Sequence, residues 1–350
     1  MTQADVAVVI GRFQPFHNGH LALLQRGLAI APRCVVVLGS AHQARTPKNP
    51  FTVDERAEMI RLALPEADRA RIHFLPQRDC YDDRRWQHQV HQAVAALAGA
   101  AARIALVGHF KDATSEYLLG FSGWTLVKAE RAEGADGTHL RDALFGAAPG
   151  ALDATLAALV GQAPPSTLQF LRAWAALPYL APLAEEWRYL RDYRQAWAAA
   201  PYPPVFVTVD AVVSCAGHVL LIRRAHAPGR GLYAVPGGFI EQRETTYQSA
   251  LREPDEETHL KLLPDDLQRA LRAQAVFDHP DRSQRGRTIT HAFHFDLGER
   301  ELPEVRADDD AQSVEWVPLA RLRDIEDRFH DDHFHMLDHF LELTDGNPAA

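Results

Sequence analysis

Cysteine is scarce in this 350-residue chain: Cys34, Cys80 and Cys215 stand far apart and lack the spacing of metal-ligand pairs. This excludes a disulfide framework and a cysteine-based zinc site, and suits three unpaired thiols in a reducing compartment. Basic runs are missing too. Lys and Arg total 37 against 46 Asp and Glu, a formal net charge of −9, so no basic stripe is available for a polymeric nucleic acid. No stretch approaches the roughly 18 apolar residues that span a bilayer. Residues 1–10 hold one short apolar run without a basic leader, so no secretory signal is expected. A cytoplasmic protein with no nucleic acid and no membrane among its partners is therefore expected. No internal repeat is visible.

With 47% apolar and 24% charged residues, the composition is that of a globular chain able to bury a sizeable core, and its length suggests about two domains. In the N-terminal part, short β-branched runs at residues 6–10, 34–38, 72–75 and 104–107 alternate with helical spacing at 21–29, 53–64 and 86–97. Strands apolar on both faces, each followed by a helix, predict a parallel sheet covered by helices. In such a fold, ligands bind at the carboxyl ends of the strands. Residues 147–200 shift to Ala, Leu, Trp and Tyr, broken at Pro164-Pro165 and Pro178. Trp174, Trp187 and Trp197 would be costly to leave in water, so a packed helical connector is expected. Beyond Pro201-Tyr202-Pro203-Pro204, residues 205–213, 218–224 and 288–296 read as strands of a mixed sheet. Residues 245–258 read as a helix and 330–343 as a closing helix. The fold class is α/β in both halves.

Gly11-Arg12-Phe13-Gln14-Pro15-Phe16-His17-Asn18-Gly19-His20 follows the first strand and opens the first helix. Backbone N–H groups at a helix start favour anions. His17 and His20 can both point at a phosphate chain from that turn and donate as charge develops on it. This His-x-Gly-His element resembles the signature of the nucleotidylyltransferase superfamily, which moves a nucleoside monophosphate from a triphosphate to an acceptor. Further segments narrow the resemblance. They are Gly39-Ser40-Ala41, Arg45-Thr46-Pro47-Lys48-Asn49-Pro50-Phe51, residues 76–86 with Asp79 and Trp86, Gly108-His109-Phe110-Lys111-Asp112, and Gly137-Thr138-His139-Leu140-Arg141. Together they resemble the archaeal-type nicotinamide mononucleotide (NMN) adenylyltransferases.

That resemblance implies that ATP and NMN bind across the strand ends and that NAD and pyrophosphate leave. It implies that His17, His20 and Arg141 steady the triphosphate, with Thr138 capping the helix of Arg141. Lys48 would serve the NMN phosphate, and Trp86 would stack on the nicotinamide ring, a flat cation suited to an aromatic face. Gly11, Arg12, Phe13, Asp79, Gly108, Lys111 and Asp112 fall at further ATP- and NMN-binding positions. Asp136 stands where the family is rich in serine. As residues alone, Trp86 also fits a core position, Lys48 a solvated lysine and Asp79 a turn cap. Transfer needs no covalent enzyme intermediate, so positioning and charge neutralisation carry most of the rate.

Gly238, Glu244, Arg252, Glu253, Glu256 and Glu257 stand at the spacing Gly-x5-Glu-x7-Arg-Glu-x-x-Glu-Glu. On a helix Glu253 faces Glu256 and Glu257, and carboxylates crowded this way need a cation. Their oxygens suit Mg²⁺ or Mn²⁺, which activates water and neutralises a pyrophosphate. Arg252 and Glu244 are placed to orient those ligands. Entered through Ala234-Val235-Pro236-Gly237-Gly238, the pattern resembles the Nudix box. Pro254 stands where an aliphatic is usual and costs a helix interior roughly 3 kcal/mol. His259 replaces the usual closing glycine. A kinked helix and reduced turnover are the expectations. In the basic segment 277–288, Arg285 and Arg287 are candidate phosphate contacts of a substrate lid; the same residues fit a solvated hairpin connection, and Arg223 and Arg224 share that ambiguity. His330, His333, His335 and His339 read as part of an exposed amphipathic helix, not a metal site.

Together the halves resemble the bacterial bifunctional NMN adenylyltransferase/Nudix hydrolases over nearly the whole chain. The resemblance implies a Rossmann-like nucleotidylyltransferase domain at 1–146, a helical connector at 147–203 and an α/β/α Nudix domain with a mixed sheet at 204–350. It implies that the second domain hydrolyses ADP-ribose to AMP and ribose 5-phosphate with Mg²⁺. ATP, NMN, NAD and ADP-ribose are then the small-molecule partners. An alternative reading makes the second domain a non-catalytic ADP-ribose sensor, or a hydrolase of another dinucleotide. A homo-oligomer is left open.

Overall fold

The β-branched runs of the N-terminal half pair side by side as parallel strands. In the computed structural model, which describes residues 4–99, 101–109, 118–129, 136–260, 264–308 and 310–344, the chain forms two compact units, Met1–Glu185 and Glu186–Ala350. The first contains β1 (Val6–Gly11), α1 (Asn18–Ile30), β2 (Arg33–Leu38), α2 (Val53–Ala63), α3 (Glu66–Arg69), β3 (Ile72–Pro76), α4 (Asp83–Ala98), β4 (Ile104–Gly108) and β5 (Thr125–Lys128). The helices α5 (Gly137–Gly146), α6 (Leu152–Ala158) and α7 (Pro165–Trp174) follow, and the division falls inside α8 (Leu180–Ala196). The sheet order is β3-β2-β1-β4-β5, with every neighbouring pair parallel. Val6, Ala7, Val8 and Val9 are buried in the central strand, as strands covered on both faces require. Because β2 and β4 flank β1, the strand order reverses there, and the carboxyl ends of β1 and β4 border a crevice suited to a nucleotide.

The three indoles of residues 147–200 are packed to different degrees. Trp174 is only 2% exposed; its indole N–H donates to Glu55 Oε1 at 3.1 Å, and its ring edges Phe51 at 4.8 Å. Glu55 is held by the capping box that starts α2 at Thr52, so α7 is tied to the first unit through α2. Trp187 is half-buried and Trp197 is 44% exposed, contrary to the expectation that all three indoles are hidden. Trp197 instead edges the ring of Phe206 at 5.3 Å.

The second unit comprises β6 (Val205–Cys215), β7 (His218–Arg224), β8 (Tyr233–Ala234), β9 (Gly237–Phe239), α9 (Thr246–Thr258), α10 (Pro264–Ala270), β10 (Leu271–Phe277), β11 (Arg287–Asp296), β12 (Ala311–Pro318) and α11 (His333–Leu341). Its sheet runs β10-β11-β6-β7-β12, with β8 on β7 and β9 on β6. Among the described residues of these strands only β6 and β11 pair in parallel, so the sheet is mixed. Alternation along β6 sends Val209, Ala211 and Val213 to a core shared with Ala250 of α9. Val212 goes to the opposite core, shared with Phe334 and Leu337 of α11, and the result is a helix layer on each face.

Helix α9 starts with a second capping box, Thr245 with Gln248. Thr245→Ala is expected to destabilise the C-terminal unit by about 1 kcal/mol, read as a lower urea midpoint. Pro254 does not end the helix: α9 runs as one helix through that residue. The Pro254 carbonyl is engaged by the Thr258 hydroxyl and the Leu260 N–H. His259 closes the helix in the left-handed conformation (φ 49°), and its ring is anchored 2.6 Å from Asp308. Among the described residues, no helix is long and apolar enough to cross a membrane.

Candidate active sites

In the N-terminal unit the loop after β1 is shaped by side chains that sequence reasoning passed over. The Gln14 amide pairs with Phe51, donating to its carbonyl at 2.8 Å and accepting from its N–H at 2.9 Å. Buried Arg56 donates to the carbonyls of Arg12 at 2.8 Å and Gly39 at 2.6 Å, fastening the ends of β1 and β2 together. Phe13 takes a positive φ of 54° and is buried. Its ring lies 4.6 Å from that of His20, so it supports the histidine from beneath. The Gly11 carbonyl accepts from Gly39 N–H at 3.0 Å.

His17 and His20 stack with centroids 3.6 Å apart at the start of α1. Burial, then nearby His17, His109 and Arg12, push His20 well below the usual imidazole range. Buried Arg141 of α5 reaches the same loop: it donates to the Gln14 carbonyl at 2.5 Å and to the Thr138 hydroxyl at 3.1 Å. Burial and Arg12 lower its pKa to about 10. Two imidazoles thus meet the Arg141 guanidinium at one loop, with the charge of Arg12 close enough to act on both His20 and Arg141; a polyphosphate would relieve the crowding of the two guanidiniums and accept from the ring N–H groups.

The remaining positions fall as follows. Asp136, not Thr138, caps α5, accepting from the Thr138 N–H at 2.7 Å; this corrects the expected cap. Thr138 instead braces Arg141. Asp79 ties β3 to the end of β2, accepting from Ser40 Oγ at 2.6 Å and Gln43 Nε2 at 3.0 Å, a turn staple at the strand ends. Lys48 is half-buried in the tight Thr46–Asn49 turn. Trp86, also half-buried, edges Phe121 at 6.2 Å and packs on the sheet core. Gly108 ends β4. Lys111 and Asp112 lie outside the described residues.

In the C-terminal unit the turn before α9 has no room for side chains. A Cβ on Gly238 would sit 2.7 Å from Glu253 Oε1, and one on Gly237 would sit 2.4 Å from the Val209 carbonyl. The Gly237 N–H donates to Glu257 Oε2 at 3.0 Å. Burial, with Glu253 alongside, pushes the Glu257 carboxyl up to about 8. Arg252 gathers the other glutamates, reaching Glu244 at 3.0 Å, Glu253 at 3.0 Å and Glu256 at 2.6 Å. Glu256 is therefore turned toward Arg252. Among the described residues no three His, Cys, Asp or Glu side chains converge as a metal cage, so the three-carboxylate crowd expected from spacing is a Glu253–Glu257 pair with Glu256 beside it. That pair fits a divalent cation: both are buried carboxylates at one turn, and carboxylate oxygens are the ligands such an ion takes.

Beside the turn lies a cleft lined by Arg224, Arg282, Arg285, His330 and Asp331. Arg285 lines it; Arg287 is held by the Asp278 carbonyl and is not among the lining residues. Arg224 lines the cleft, whereas Arg223 packs on the Tyr233 ring at 3.9 Å. The C-terminal histidines correct the exposed-helix expectation. His330 and His333 are buried in the cleft wall, and His335 and His339 edge Phe277 at 5.7 and 5.3 Å. The wall also holds a buried Arg282–Asp332 pair with two contacts of 2.8 Å. Burial pushes Asp210 up to about 7, where it accepts from Thr290 Oγ1 at 2.6 Å. Sequence reasoning missed this network. The signal available for it was one carboxylate, Asp210, inside an otherwise apolar run.

Residues 8–143 match the family model described as cytidylyltransferase-like, and residues 204–340 that of the NUDIX domain. The nicotinamide/nicotinic acid mononucleotide adenylyltransferase of Acinetobacter baylyi is 42% identical over 146 residues, 41% of this chain and 78% of that protein. An ADP-ribose pyrophosphatase of Methanocaldococcus jannaschii is 35% identical over 116 residues, 33% of this chain and 63% of that protein. The crystal structure of a bifunctional NMN adenylyltransferase/ADP ribose pyrophosphatase from Francisella tularensis is 33% identical, covers 97% of this chain and 99% of its own, and superposes with a TM-score of 0.89. A crystal structure of such a protein from the same organism, complexed with AMP and Mn ion, gives a TM-score of 0.88 at the same identity and coverage. The chain belongs to the family of bifunctional NMN adenylyltransferase/ADP-ribose pyrophosphatases.

Proposed function

We propose that the chain makes NAD from ATP and NMN at the β1–α1 corner and hydrolyses ADP-ribose to AMP and ribose 5-phosphate at the glutamate cleft. The observation that carries the first activity is the meeting of His17, His20 and Arg141 at one loop. There the triphosphate would lie with its negative charge against imidazole, guanidinium and backbone donors as the NMN phosphate attacks the α-phosphorus and pyrophosphate leaves. Mg²⁺ accompanies the triphosphate as part of the substrate. Arg12, Lys48 and Lys111 are assigned to phosphates, Asp112 to nucleotide binding, and Gly11 and Gly108 to the crevice rim. Phe13 and Asp79 hold the loops in place. Trp86 is assigned to the nicotinamide ring; Trp86→Ala is expected to raise the KM for NMN about tenfold and that for ATP far less, read from initial rates.

At the second site Glu253 and Glu257, with Glu256 joining them, would hold Mg²⁺ or Mn²⁺. When bound, such an ion neutralises a diphosphate and lowers the pKa of water. Arg252 and Glu244 keep the glutamates in place, and Gly238 lets the diphosphate approach closely. Arg285 and Arg224 meet phosphate oxygens, while Arg287 steadies the loop that carries Arg285. The unbroken α9 keeps Glu253 and Glu257 together despite Pro254, which favours a hydrolase over a non-catalytic sensor. We assign residues 1–146 to transfer, 204–350 to hydrolysis and 147–203 to joining them. The three buried cysteines, none of them in a disulfide, suit the reducing cytoplasm. The full chain incubated with Mg²⁺, ATP and NMN should yield NAD and pyrophosphate, and with ADP-ribose should yield AMP. Tight ADP-ribose binding without AMP release would favour the sensor.

A further inference from the structure

An ion pair and two aromatic side chains outside the assignments above enclose the loop that carries Lys48. The Thr46–Asn49 turn is closed by its own backbone: the Thr46 N–H donates to the Asn49 carbonyl at 3.3 Å, and the Asn49 N–H returns to the Thr46 carbonyl at 3.1 Å. Two amide ties fasten the far end of the loop, Gln14 on Phe51 and Gln43 accepting from Asn49 Nδ2 at 2.7 Å. Arg45 fastens the near end. Its guanidinium donates to both Glu55 oxygens, at 2.6 and 2.9 Å, and across the turn to the Pro50 carbonyl at 2.7 Å. Arg45 and Pro50 bracket Lys48, so this contact fixes the span of the turn.

Left open to water, an arginine–carboxylate pair would be a weak brace, because solvent competes for both partners. Here the pair is covered by the chain beyond residue 146. The Tyr179 ring lies over the guanidinium at 4.1 Å, and the Trp174 indole donates to Glu55 Oε1 at 3.1 Å. Trp174 and Tyr179 stack on each other at 6.3 Å. The Arg45 and Glu55 side chains keep only 22% and 18% of their exposure. A cation pressed on an aromatic face, with its carboxylate held by an indole donor, gives the planar fork one orientation.

We propose that Trp174 and Tyr179 are positioning residues for NMN: by holding the Arg45–Glu55 pair they fix the loop in the shape that offers Lys48 to the NMN phosphate. This rests on the assignment of Lys48 to that phosphate. The segment from α7 to Tyr179 then serves adenylyl transfer as well as the connector, acting through the loop and not by contact with substrate. Because Lys48 serves one substrate, loss of the clamp falls on NMN and spares ATP.

The test uses the full chain. Tyr179 is 40% exposed, so its removal opens no core cavity. Tyr179→Ala is expected to raise the KM for NMN about fivefold, with the KM for ATP and the rate of ADP-ribose hydrolysis unchanged. Tyr179→Phe, which keeps the ring face, should behave as the wild type. Trp174→Phe keeps a ring against Phe51 and drops the donor, and should move the KM for NMN in the same direction. In a Lys48→Ala chain, whose own KM for NMN is raised, adding Tyr179→Ala should change it by less than about twofold, since both act on one contact. An unchanged KM for NMN in Tyr179→Ala, equal rises for ATP and NMN, or the full effect on top of Lys48→Ala would each overturn the clamp while leaving the transferase intact. A Lys48→Ala chain with the wild-type KM for NMN would overturn the Lys48 assignment and the clamp with it. A wild-type chain that binds NMN calorimetrically but makes no NAD would overturn the transferase, and the Kd of NMN across the same variants would still judge the clamp. A wild-type chain that neither binds nor converts NMN would remove both.

Discussion

Replacing Glu257 by Gln should slow ADP-ribose hydrolysis about 10²–10³-fold and leave NAD synthesis by the same chain at the wild-type rate. Gln keeps the volume and one carbonyl oxygen, so the Gly237 N–H retains an acceptor. The change removes negative charge at a site 3% exposed, beside a second buried carboxylate. A stability measurement separates this electrostatic account from simple misfolding. In the metal-free chain the Glu257 carboxyl titrates at about 8, above its ordinary 4.5. Between those values the folded chain holds a proton that the unfolded chain has released, so stability falls as pH rises through that window. Asp210, raised to about 7, acts with the same sign at lower pH. Glu257→Gln should therefore flatten the pH dependence of Tm chiefly between pH 7 and 8. Mg²⁺ should stabilise the wild type increasingly across that range, and the variant much less.

His20→Ala should produce the reciprocal loss, lowering NAD synthesis about 10²–10³-fold with ADP-ribose hydrolysis unchanged. His20 stacks on His17 and Phe13, at the same loop whose Gln14 carbonyl Arg141 engages. Truncation takes away a donor and also the ring that holds His17 in orientation, so kcat should suffer more than the KM for either substrate. His20→Gln, which keeps an N–H donor near the same place, should recover part of the rate. A large rise in the KM for ATP with kcat intact would instead mark His20 as a ground-state contact.

The sequence made one kind of information plain and hid another. The strands β1, β2 and β4 are visible because burial on both faces forces a continuous apolar run. The glutamate helix is visible because its carboxylates repeat on one helical face. β5 spans only four residues, Thr125–Lys128, too few for any period to show. In β10 only Phe277 reaches full burial, so its pattern is weak. The family resemblance implies Thr138 as the cap of α5; the backbone gives that task to Asp136. Pro254 lies inside α9 without ending it, since the packing around a buried residue offsets one lost backbone donor. The cleft wall was the largest omission. Asp210, Arg282, His330 and Asp332 come from distant segments, and their charges are tolerable only in each other's company, which no local pattern records.

One reaction addresses the central claim: the full chain supplied together with Mg²⁺, ATP, NMN and ADP-ribose, with all products resolved over time, for the wild type, His20→Ala and Glu257→Gln. The expected result is NAD and AMP from the wild type, AMP without NAD from His20→Ala, and NAD without AMP from Glu257→Gln. Loss of both products in either variant, or neither product from the wild type, would contradict two separate phosphate-handling sites in this chain.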